Sequence, residues 1–427
     1  MRTVKWNPFL SGVCTFLGGM LLWAGAARAD ISTTNAAAIV VFPKLIVDTS
    51  GQMPVDEWVN ENVPHSIDTI IQLTNTSANP VNVRCFYVNA NGHCNNDPSL
   101  ICNSVGTQLE IASSCRNQFA ACIPSWQETD FAFHLTTKQP IVWTVSDGLL
   151  TLPLNDFPGG TTGQFNTGSI PPAPENPMIG ELKCVEVGSD EFPVASNDLK
   201  GEATIEEVDF LPRDSSTKSV IRGVTFDTRG YNAIGIQAIP GANFNGDNTL
   251  IVGGTPDTGQ EYNGCPNQLI LDNFFDDAEE PATHENVRTD LTLVPCSEDF
   301  NFQSVFPIVV QYLVFNEFEQ RFSTSRSVTC FSELPLSDID TRPGNLDGND
   351  RASIFNVNVE GTLTGQTLIR PVADSSTTHG TGLLGVAEEY HQDMRLTGHS
   401  AAFALQQRGT RTQPDIILLP LAEPAGP

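Results

Sequence analysis

The sequence predicts an all-β protein made of two tandem antiparallel β-sandwich domains. Short stretches that alternate apolar and polar residues recur along the chain, separated by turn-forming residues, which is typical of antiparallel sandwiches. Few windows repeat apolar residues at the spacing of an amphipathic helix, and 29 prolines and 34 glycines interrupt them. An internal similarity between two segments predicts that the sandwich occurs twice.

The most regular strand signals lie between residues 69 and 88, whose sequence is TIIQLTNTSANPVNVRCFYV. Residues 69–73 are mostly apolar or β-branched and residues 81–88 alternate, so the side chains at positions 81, 83, 85 and 87 are expected to share one strand face. The residues between these runs are turn formers. The pattern predicts an antiparallel hairpin, and residues 131–135 and 141–145 predict a second one.

The segment 309–331, VVQYLVFNEFEQRFSTSRSVTCF, resembles the segment 69–88. Each places a glutamine after two apolar residues, an asparagine at the strand end and a Cys-Phe pair at the close of the next strand. The matching residues are Gln72, Asn75 and Cys85-Phe86 in the first segment and Gln311, Asn316 and Cys330-Phe331 in the second. The matches keep their order, which favours a divergent tandem duplication of one β-domain. Chance reuse of similar hairpins is the alternative.

The predicted organisation begins with a secretory signal peptide at residues 1–29. Arg2 and Lys5 precede an apolar run that ends in Ala27-Arg28-Ala29, which favours cleavage before Asp30 over an uncleaved anchor. The remaining divisions are a first sandwich domain (30–211) with a cysteine-rich loop (91–125), a boundary (212–222), a second sandwich domain (223–420) and a tail (421–427). We expect no membrane span after the signal is removed.

The chain is strongly acidic. Removing the three basic residues of the signal leaves 19 basic against 50 acidic residues, a net charge of −31. A field of this sign repels phosphate backbones and anionic lipid, so nucleic-acid and membrane-surface binding are disfavoured. The composition suits an exported protein, cation association or a saline habitat.

Nine cysteines follow the signal, and in an exported chain they are most simply disulfide partners. The candidates are Cys85, Cys94, Cys102, Cys115, Cys122, Cys184, Cys265 and Cys296. The number is odd, so at least one cysteine is free or pairs outside the chain. Four of them lie in the loop 91–125 and allow three connectivities. Zinc is the alternative there, but the loop has no Cys-x-x-Cys pair and its one imidazole is His93.

The Asn-Thr-Ser-x-Asn-Pro turn at residues 75–80 carries a resemblance to the immunoglobulin-like β-sandwich domains of bacterial exported and surface proteins. The resemblance is at the level of the fold and covers about twenty residues of each half. It implies an exported protein and transfers no functional residue.

A calcium site is the sharpest metal candidate. Closely spaced oxygen ligands on a glycine-containing turn suit Ca²⁺, and no closing glutamate of an EF-hand is present. The candidate ligands are Asp338, Asp340, Asn345, Asp347, Asn349 and Asp350. A solvated acidic turn without metal is the other interpretation, and apart from Ca²⁺ no cofactor is expected.

Signatures of catalysis are missing from the sequence. There is no Gly-x-Ser-x-Gly elbow and no His-Glu-x-x-His motif. Glu388, Glu389 and His391 lie together near His379 and His399, but on a strand Glu388 points away from the other two. A polar row on an edge strand is the simpler interpretation.

The sequence therefore predicts a non-catalytic, exported structural or binding protein with a protein or envelope partner. Contact is expected through the loop 91–125 or through the Pro/Gly-rich loop 153–177, because long loops on a rigid sandwich commonly carry binding. The alternatives are a secreted hydrolase with an acidic cleft and a Ca²⁺-stabilised adhesin module.

Overall fold

The computed structural model describes residues 31–49, 65–103, 122–124, 126–149, 170–210, 224–304, 306–340, 353–372, 380–392 and 398–420. The predicted signal peptide (1–29), boundary (212–222) and tail (421–427) lie outside these residues, so those divisions stay predictions.

The all-β prediction is confirmed, because strands make up 60% and helices 4% of the structure. The strands are β1 (Ile39–Val47), β2 (His65–Asn75), β3 (Val81–Asn89), β4 (Gly92–Cys94), β5 (Asp97–Asn103), β6 (Cys122–Pro124), β7 (Gln127–Leu135), β8 (Pro140–Thr144), β9 (Met178–Val187), β10 (Leu199–Phe210), β11 (Val224–Asn232), β12 (Ile234–Ile236), β13 (Thr249–Val252), β14 (Pro266–Phe274), β15 (Ala278–Glu279), β16 (Asn286–Pro295), β17 (Glu298–Asp299), β18 (Pro307–Asn316), β19 (Arg321–Thr329), β20 (Ser332–Pro335), β21 (Thr364–Pro371), β22 (Leu383–Gln392), β23 (Gly398–Ala404), β24 (Gln406–Thr410) and β25 (Asp415–Leu418). Two single-turn helices, α1 (Leu336–Ile339) and α2 (Val357–Glu360), and a 3₁₀ turn (Pro256–Thr258) complete the described elements.

Five larger sheets contain most of these strands. Sheet 1 has the order β11-β10-β2-β8, sheet 2 the order β12-β1-β9-β3-β7, and sheet 3 the order β13-β25-β17. Sheet 4 has the order β15-β16-β22-β23 with β20 also paired to β16, and sheet 5 the order β19-β18-β21-β14-β24. The short strands β5-β4-β6 form a small separate sheet.

The prediction of two tandem immunoglobulin-like sandwiches is wrong. The small sheets are arranged in a ring, as the blades of a five-bladed β-propeller are. The physical reason lies in sheet 2, where β1, β3 and β9 are buried almost throughout, on both faces. A sheet of an isolated two-layer sandwich buries one face and exposes the other to solvent, so sheet 2 needs a packing partner on each side.

Three apolar clusters fill the spaces between the sheets. The first lies between sheets 1 and 2 and includes Tyr87 and Trp143, which share a hydrogen bond of 2.7 Å. The second packs the other face of sheet 2 against sheet 3 and contains the stacked rings of Phe86 and Phe300. The third lies between sheets 4 and 5 around Tyr312. Positions 81, 83, 85 and 87 share the first cluster, as the sequence predicts.

The two halves of the chain also share sheets. Strands β11 and β12 follow the predicted boundary. Strand β11 pairs with β10 and strand β12 pairs with β1, and both partners precede the boundary. Sheets 1 and 2 of the first half are therefore each completed by one strand of the second half.

The hairpin predicted at residues 69–88 is wrong. Strand β2 pairs with β8 and β10 in sheet 1, whereas β3 pairs with β7 and β9 in sheet 2. The chain crosses from one sheet to the other at the turn. The hairpin predicted at residues 131–145 is wrong for the same reason, because β7 and β8 lie in sheets 2 and 1. The similar segment 309–331 does form a hairpin, in which β18 pairs with β19.

Candidate binding site at the junction of two loops

The two loops that the sequence predicts to carry binding meet at one cluster of side chains. His93 of β4, within the predicted loop 91–125, lies 2.7 Å from Glu175, within the predicted loop 153–177, measured from Nε2 to Oε1. The other oxygen of Glu175 accepts hydrogen bonds from the side-chain amides of Asn89 and Asn91 at 2.6 and 2.8 Å. We call these four residues the loop junction.

Asn91 fixes the loop junction to the sheet beneath it. Its side-chain amide also donates to the Pro177 carbonyl at 2.8 Å, and its side-chain oxygen accepts from the Ile179 N–H at 3.2 Å. Asn91 is fully buried and Ile179 lies in β9. All the hydrogen-bonding groups of this amide are therefore used, so the described residues at the start of the first loop and at the end of the second are held against β9.

The electrostatics of the loop junction favour a charged carboxylate. Burial by itself favours the protonated form of Glu175, but hydrogen bonds from His93, Asn89 and Asn91 outweigh it and lower the pKa of Glu175. The second ring nitrogen of His93, Nδ1, is buried and has no hydrogen-bond partner within the described part of the chain. The junction thus combines an anionic group with an imidazole nitrogen that is not used by the hydrogen bonds seen there.

The described contacts of the loop junction are hydrogen bonds between polar groups. Its hydrogen bonds, as far as the described residues form them, involve amides, an imidazole, a carboxylate and backbone groups. Nucleophilic catalysis needs a hydroxyl, thiol or amine within reach of the base, and none takes part in these contacts.

The predicted calcium ligands are only partly described. Asp340 Oδ1 lies 3.2 Å from the Thr324 hydroxyl, and the Asp338 carbonyl accepts a hydrogen bond of 2.7 Å from Arg326. Asn345, Asp347, Asn349 and Asp350 lie outside the described residues. The calcium site therefore stays a prediction.

The structure separates the Glu388, Glu389 and His391 group as the sequence suggests but places it differently. Glu389 and His391 share a face and lie 2.7 Å apart, while Glu388 points the other way and is 1% exposed. The expectation of a polar row on an edge strand is wrong, because β22 lies between β16 and β23. His379 and the side chain of His399 lie outside the described residues.

Two disulfides are described in full. Cys85 of β3 is bonded to Cys184 of β9, and Cys265 is bonded to Cys296. Cys94 is also disulfide-bonded and faces Cys122 in the register of β4 and β6, whereas Cys115 lies outside the described residues. Cys330 is a free and buried thiol.

One group of metal-ligand atoms occurs among the described residues, formed by Cys265, Cys296 and Asp415. Its two sulfur atoms are joined in the disulfide, so they offer no thiolate to a metal. Burial raises the pKa of Asp415 to about 6, although the Gly382 N–H donates to the carboxylate at 2.8 Å. The disulfide links the residue before β14 to the residue after β16, and Asp415 of β25 lies beside it.

Sequence reasoning missed a buried ion cluster where sheets 1, 2 and 4 meet. Lys44 of β1 contacts Glu333 and Glu388, and Arg229 of β11 donates to the other oxygen of Glu388 at 2.9 Å. Burial disfavours the Glu388 carboxylate, but these two cations outweigh it and lower the pKa of Glu388 to about 2. The cluster ties three sheets together through charge.

A β-bulge places Lys44 in this cluster. The register of β1 against β9 shifts between Phe42 and Leu45, at Pro43, because proline cannot donate a hydrogen bond to the sheet. The Tyr231 hydroxyl accepts from the Lys44 N–H and donates to the Lys44 carbonyl, so the backbone groups freed by the bulge are satisfied. The local signal was a lysine beside proline in an otherwise apolar strand.

A second buried ion cluster joins sheets 2 and 3. Lys183 contacts Glu298 and lies 3.1 Å from Glu181, and all three side chains are almost fully buried. Burial and the neighbouring Glu298 carboxylate raise the pKa of Glu181, although Lys183 opposes them. The local signal was a Glu-x-Lys pair in the buried strand β9.

Comparisons with known proteins add little to this description. No family model matches the chain, and no curated protein matches its sequence. Among solved structures the chain is similar to the CupB6 tip adhesin from Pseudomonas aeruginosa, with 10% identity over 91% of this chain and 99% of the adhesin. The TM-score is 0.11, far below that of a shared fold, so the match carries no argument. Within the described residues no helix is long and apolar enough to span a membrane.

Proposed function

We propose that this chain is an exported, non-catalytic structural or binding protein whose contact surface lies on the two loops that the loop junction holds together. The observation that supports the proposal is the pairing of His93 with Glu175, which connects the two predicted binding loops. Binding is commonly placed on loops that a rigid scaffold holds in position. The partner would be a protein or a component of the cell envelope.

Export is supported by the disulfides and by the predicted signal peptide. Disulfides persist in oxidising compartments and are rare in the cytosol of most organisms. Cys85–Cys184 and Cys265–Cys296 are formed between buried residues, so they brace the fold instead of serving as exposed redox centres. The acidic net charge suits a protein that works outside the cytoplasm and away from nucleic acid.

The test uses cells of the source organism that lack the gene and purified mature protein added from outside. The double variant His93→Ala/Glu175→Gln changes the loop junction, and His134→Ala is the matched control because His134 also pairs with a side-chain oxygen, that of Asn82 at 2.9 Å. We expect saturable binding of wild type and the control, and at least about tenfold weaker binding of the double variant, measured well below the Tm of all three proteins. Equal binding of all three proteins would contradict the proposal, as would retention of the native protein in the cytoplasm.

A further inference from the structure

Sheets 1 and 5 each keep outward strand positions open to solvent, and the charged side chains at these positions are of opposite sign. Sheet 5 packs its inner face on sheet 4, and sheet 1 packs its inner face on sheet 2. The outward positions of both sheets are exposed or half-exposed. Each open face therefore offers a flat β-surface of several strands.

The open face of sheet 5 is basic. Arg321, Arg370 and Arg408 all point outward and are exposed, and Asp272 is the one acidic side chain on the outward strand positions of this sheet. Only five lysine and arginine side chains are exposed in the described part of the chain. Three of these five cations lie on the open face of sheet 5. The positive charge of this face therefore differs from the acidic character of the chain as a whole.

The middle of the same face is apolar. The register places Leu313, Leu368 and Ile270 side by side on β18, β21 and β14, and each is only half-buried. Val309 is 44% and Val372 is 43% exposed, and they lie next to each other where the Val372 N–H donates to the Val309 carbonyl. An apolar strip rimmed by arginines has the anatomy of a protein contact.

The open face of sheet 1 has the complementary charge. Glu202 and Glu206 of β10 are exposed, Asp68 lies directly opposite Glu206, and Lys200 is the one cation among the outward strand positions described there. Its apolar side chains include Ile70 and Val142, the latter 50% exposed. The open face of sheet 1 thus carries three carboxylates and one lysine, whereas the open face of sheet 5 carries three arginines and one aspartate.

We propose that the open face of sheet 5 in one copy of this chain docks on the open face of sheet 1 in a second copy. Charge complementarity selects the second copy as the occupant, because an acidic protein with a basic sheet face attracts its own acidic sheet face. The contact joins unlike faces, so it is heterologous and leaves each end of a pair able to bind a further copy. The assembly grows by addition until it closes into a ring or continues as a filament.

The inference uses surfaces other than the loop junction, so it stands or falls independently of the proposed function. A heterologous contact builds repeating assemblies, which agrees with a structural role for this chain. Because the rims are solvent-exposed charges, the association is expected to weaken as salt screens them.

The test is sedimentation velocity of the mature, oxidised protein across a concentration series at low and high salt. One variant reverses the basic face (Arg321→Glu/Arg370→Glu/Arg408→Glu), and a second reverses the acidic face (Glu202→Lys/Glu206→Lys). We expect wild type to associate at low salt and each variant alone to remain monomeric, with association at least about tenfold weaker. An equimolar mixture of the two variants is expected to associate again, because each then meets a face of opposite sign.

The single variants Arg370→Glu and Lys138→Glu provide a matched control, since both reverse an exposed cation and Lys138 lies outside the sheet 5 face. The first is expected to weaken association and the second to leave it unchanged. Circular dichroism and Tm confirm folding of every variant. The proposal is overturned if wild type stays monomeric at all concentrations, if the two single variants behave alike, or if the mixture of reversed variants fails to associate.

Discussion

The segments 69–88 and 309–331 share a pattern of residues but occupy the ring in different ways. In the first, the chain crosses from sheet 1 to sheet 2, and β3 is buried on both faces. In the second, β18 and β19 form a hairpin at the edge of sheet 5, and every second residue of β19 is exposed from Arg321 to Ser327. The strand that follows the turn decides the outcome, because a strand with two apolar faces cannot remain at a solvated edge.

The turns of the two segments make similar hydrogen bonds. Asn75 accepts a hydrogen bond from the N–H of Ser77 at 2.8 Å, and Asn316 accepts one from the N–H of Phe318 at 3.0 Å. Both asparagine amides also donate to a distant carbonyl, at 2.9 and 3.0 Å. The two segments therefore show that one local turn design serves both a crossing between sheets and a hairpin within a sheet.

The largest difference between the segments is covalent. Cys85 closes a disulfide across 99 residues, whereas Cys330 at the matching position is a free, buried thiol. Removing the disulfide with Cys85→Ala/Cys184→Ala is expected to cost about 4 kcal/mol of unfolding free energy, because a long loop is released in the unfolded chain. Cys330→Ala is expected to cost only about 1 kcal/mol from lost packing. Urea unfolding of the three proteins measures both, and equal costs would contradict the assignment.

An intermediate effect is expected at the two asparagines. Asn75→Ala and Asn316→Ala each remove a buried amide together with its hydrogen bonds to the turn and to a distant carbonyl, at a cost of about 2 kcal/mol each. The location of the damage differs. Native-state hydrogen exchange is expected to rise across β2, β3, β7 and β8 for the first variant, but only around the β18–β19 turn for the second. Identical exchange patterns would show that the first turn does not bridge two sheets.

The smallest effect concerns one buried carboxyl group beside each segment. Glu186 lies opposite Val83 of β3, and the Glu360 carbonyl accepts the hydrogen bond from Asn316. Burial raises the pKa of both carboxyl groups to about 7. Because the folded pKa exceeds that of the unfolded chain, each group stabilises the fold below about pH 4.5, and this contribution is lost as the pH rises toward 7.

Glutamine substitution separates the two groups. Both Glu360 side-chain oxygens have no hydrogen-bond partner in the described structure, so Glu360→Gln is expected to raise stability at pH 8 and leave it unchanged below pH 4.5. Glu186 accepts from Ser196 Oγ and the Asp198 N–H, so Glu186→Gln disturbs those contacts and is expected to gain less. Urea unfolding at both pH values checks this, and a loss of stability for Glu360→Gln at pH 8 would refute the assigned burial.

The sequence predicts strands well and their neighbours poorly. Alternation at residues 81–87 correctly indicates one shared face, since it depends only on the local chain. It also contained a warning: Phe86 and Val88 make the opposite face apolar, which is inconsistent with a solvated sandwich face. The ring arrangement depends on which strands pair across long stretches of chain, and no local pattern encodes that.

The sites divide in the same way. His93 and Glu175 lie in segments that the sequence predicts as loops, although His93 belongs to the short strand β4, and their contact joins residues 82 positions apart. The ion cluster around Glu388 was missed because Arg229 and Lys44 lie 159 and 344 positions away. A single charged residue within an apolar strand marks a buried ion without naming its partner.

The central claim is that two segments with a similar residue pattern form a crossing fixed by a disulfide in one case and a hairpin with a free thiol in the other. Peptide mapping of the unreduced protein, alkylated before and after denaturation, tests it most directly. We expect Cys85 and Cys184 to appear as one linked pair, and Cys330 to be alkylated only once the protein is unfolded. Alkylated Cys85 in the native protein, or Cys330 found in a disulfide, would contradict the account.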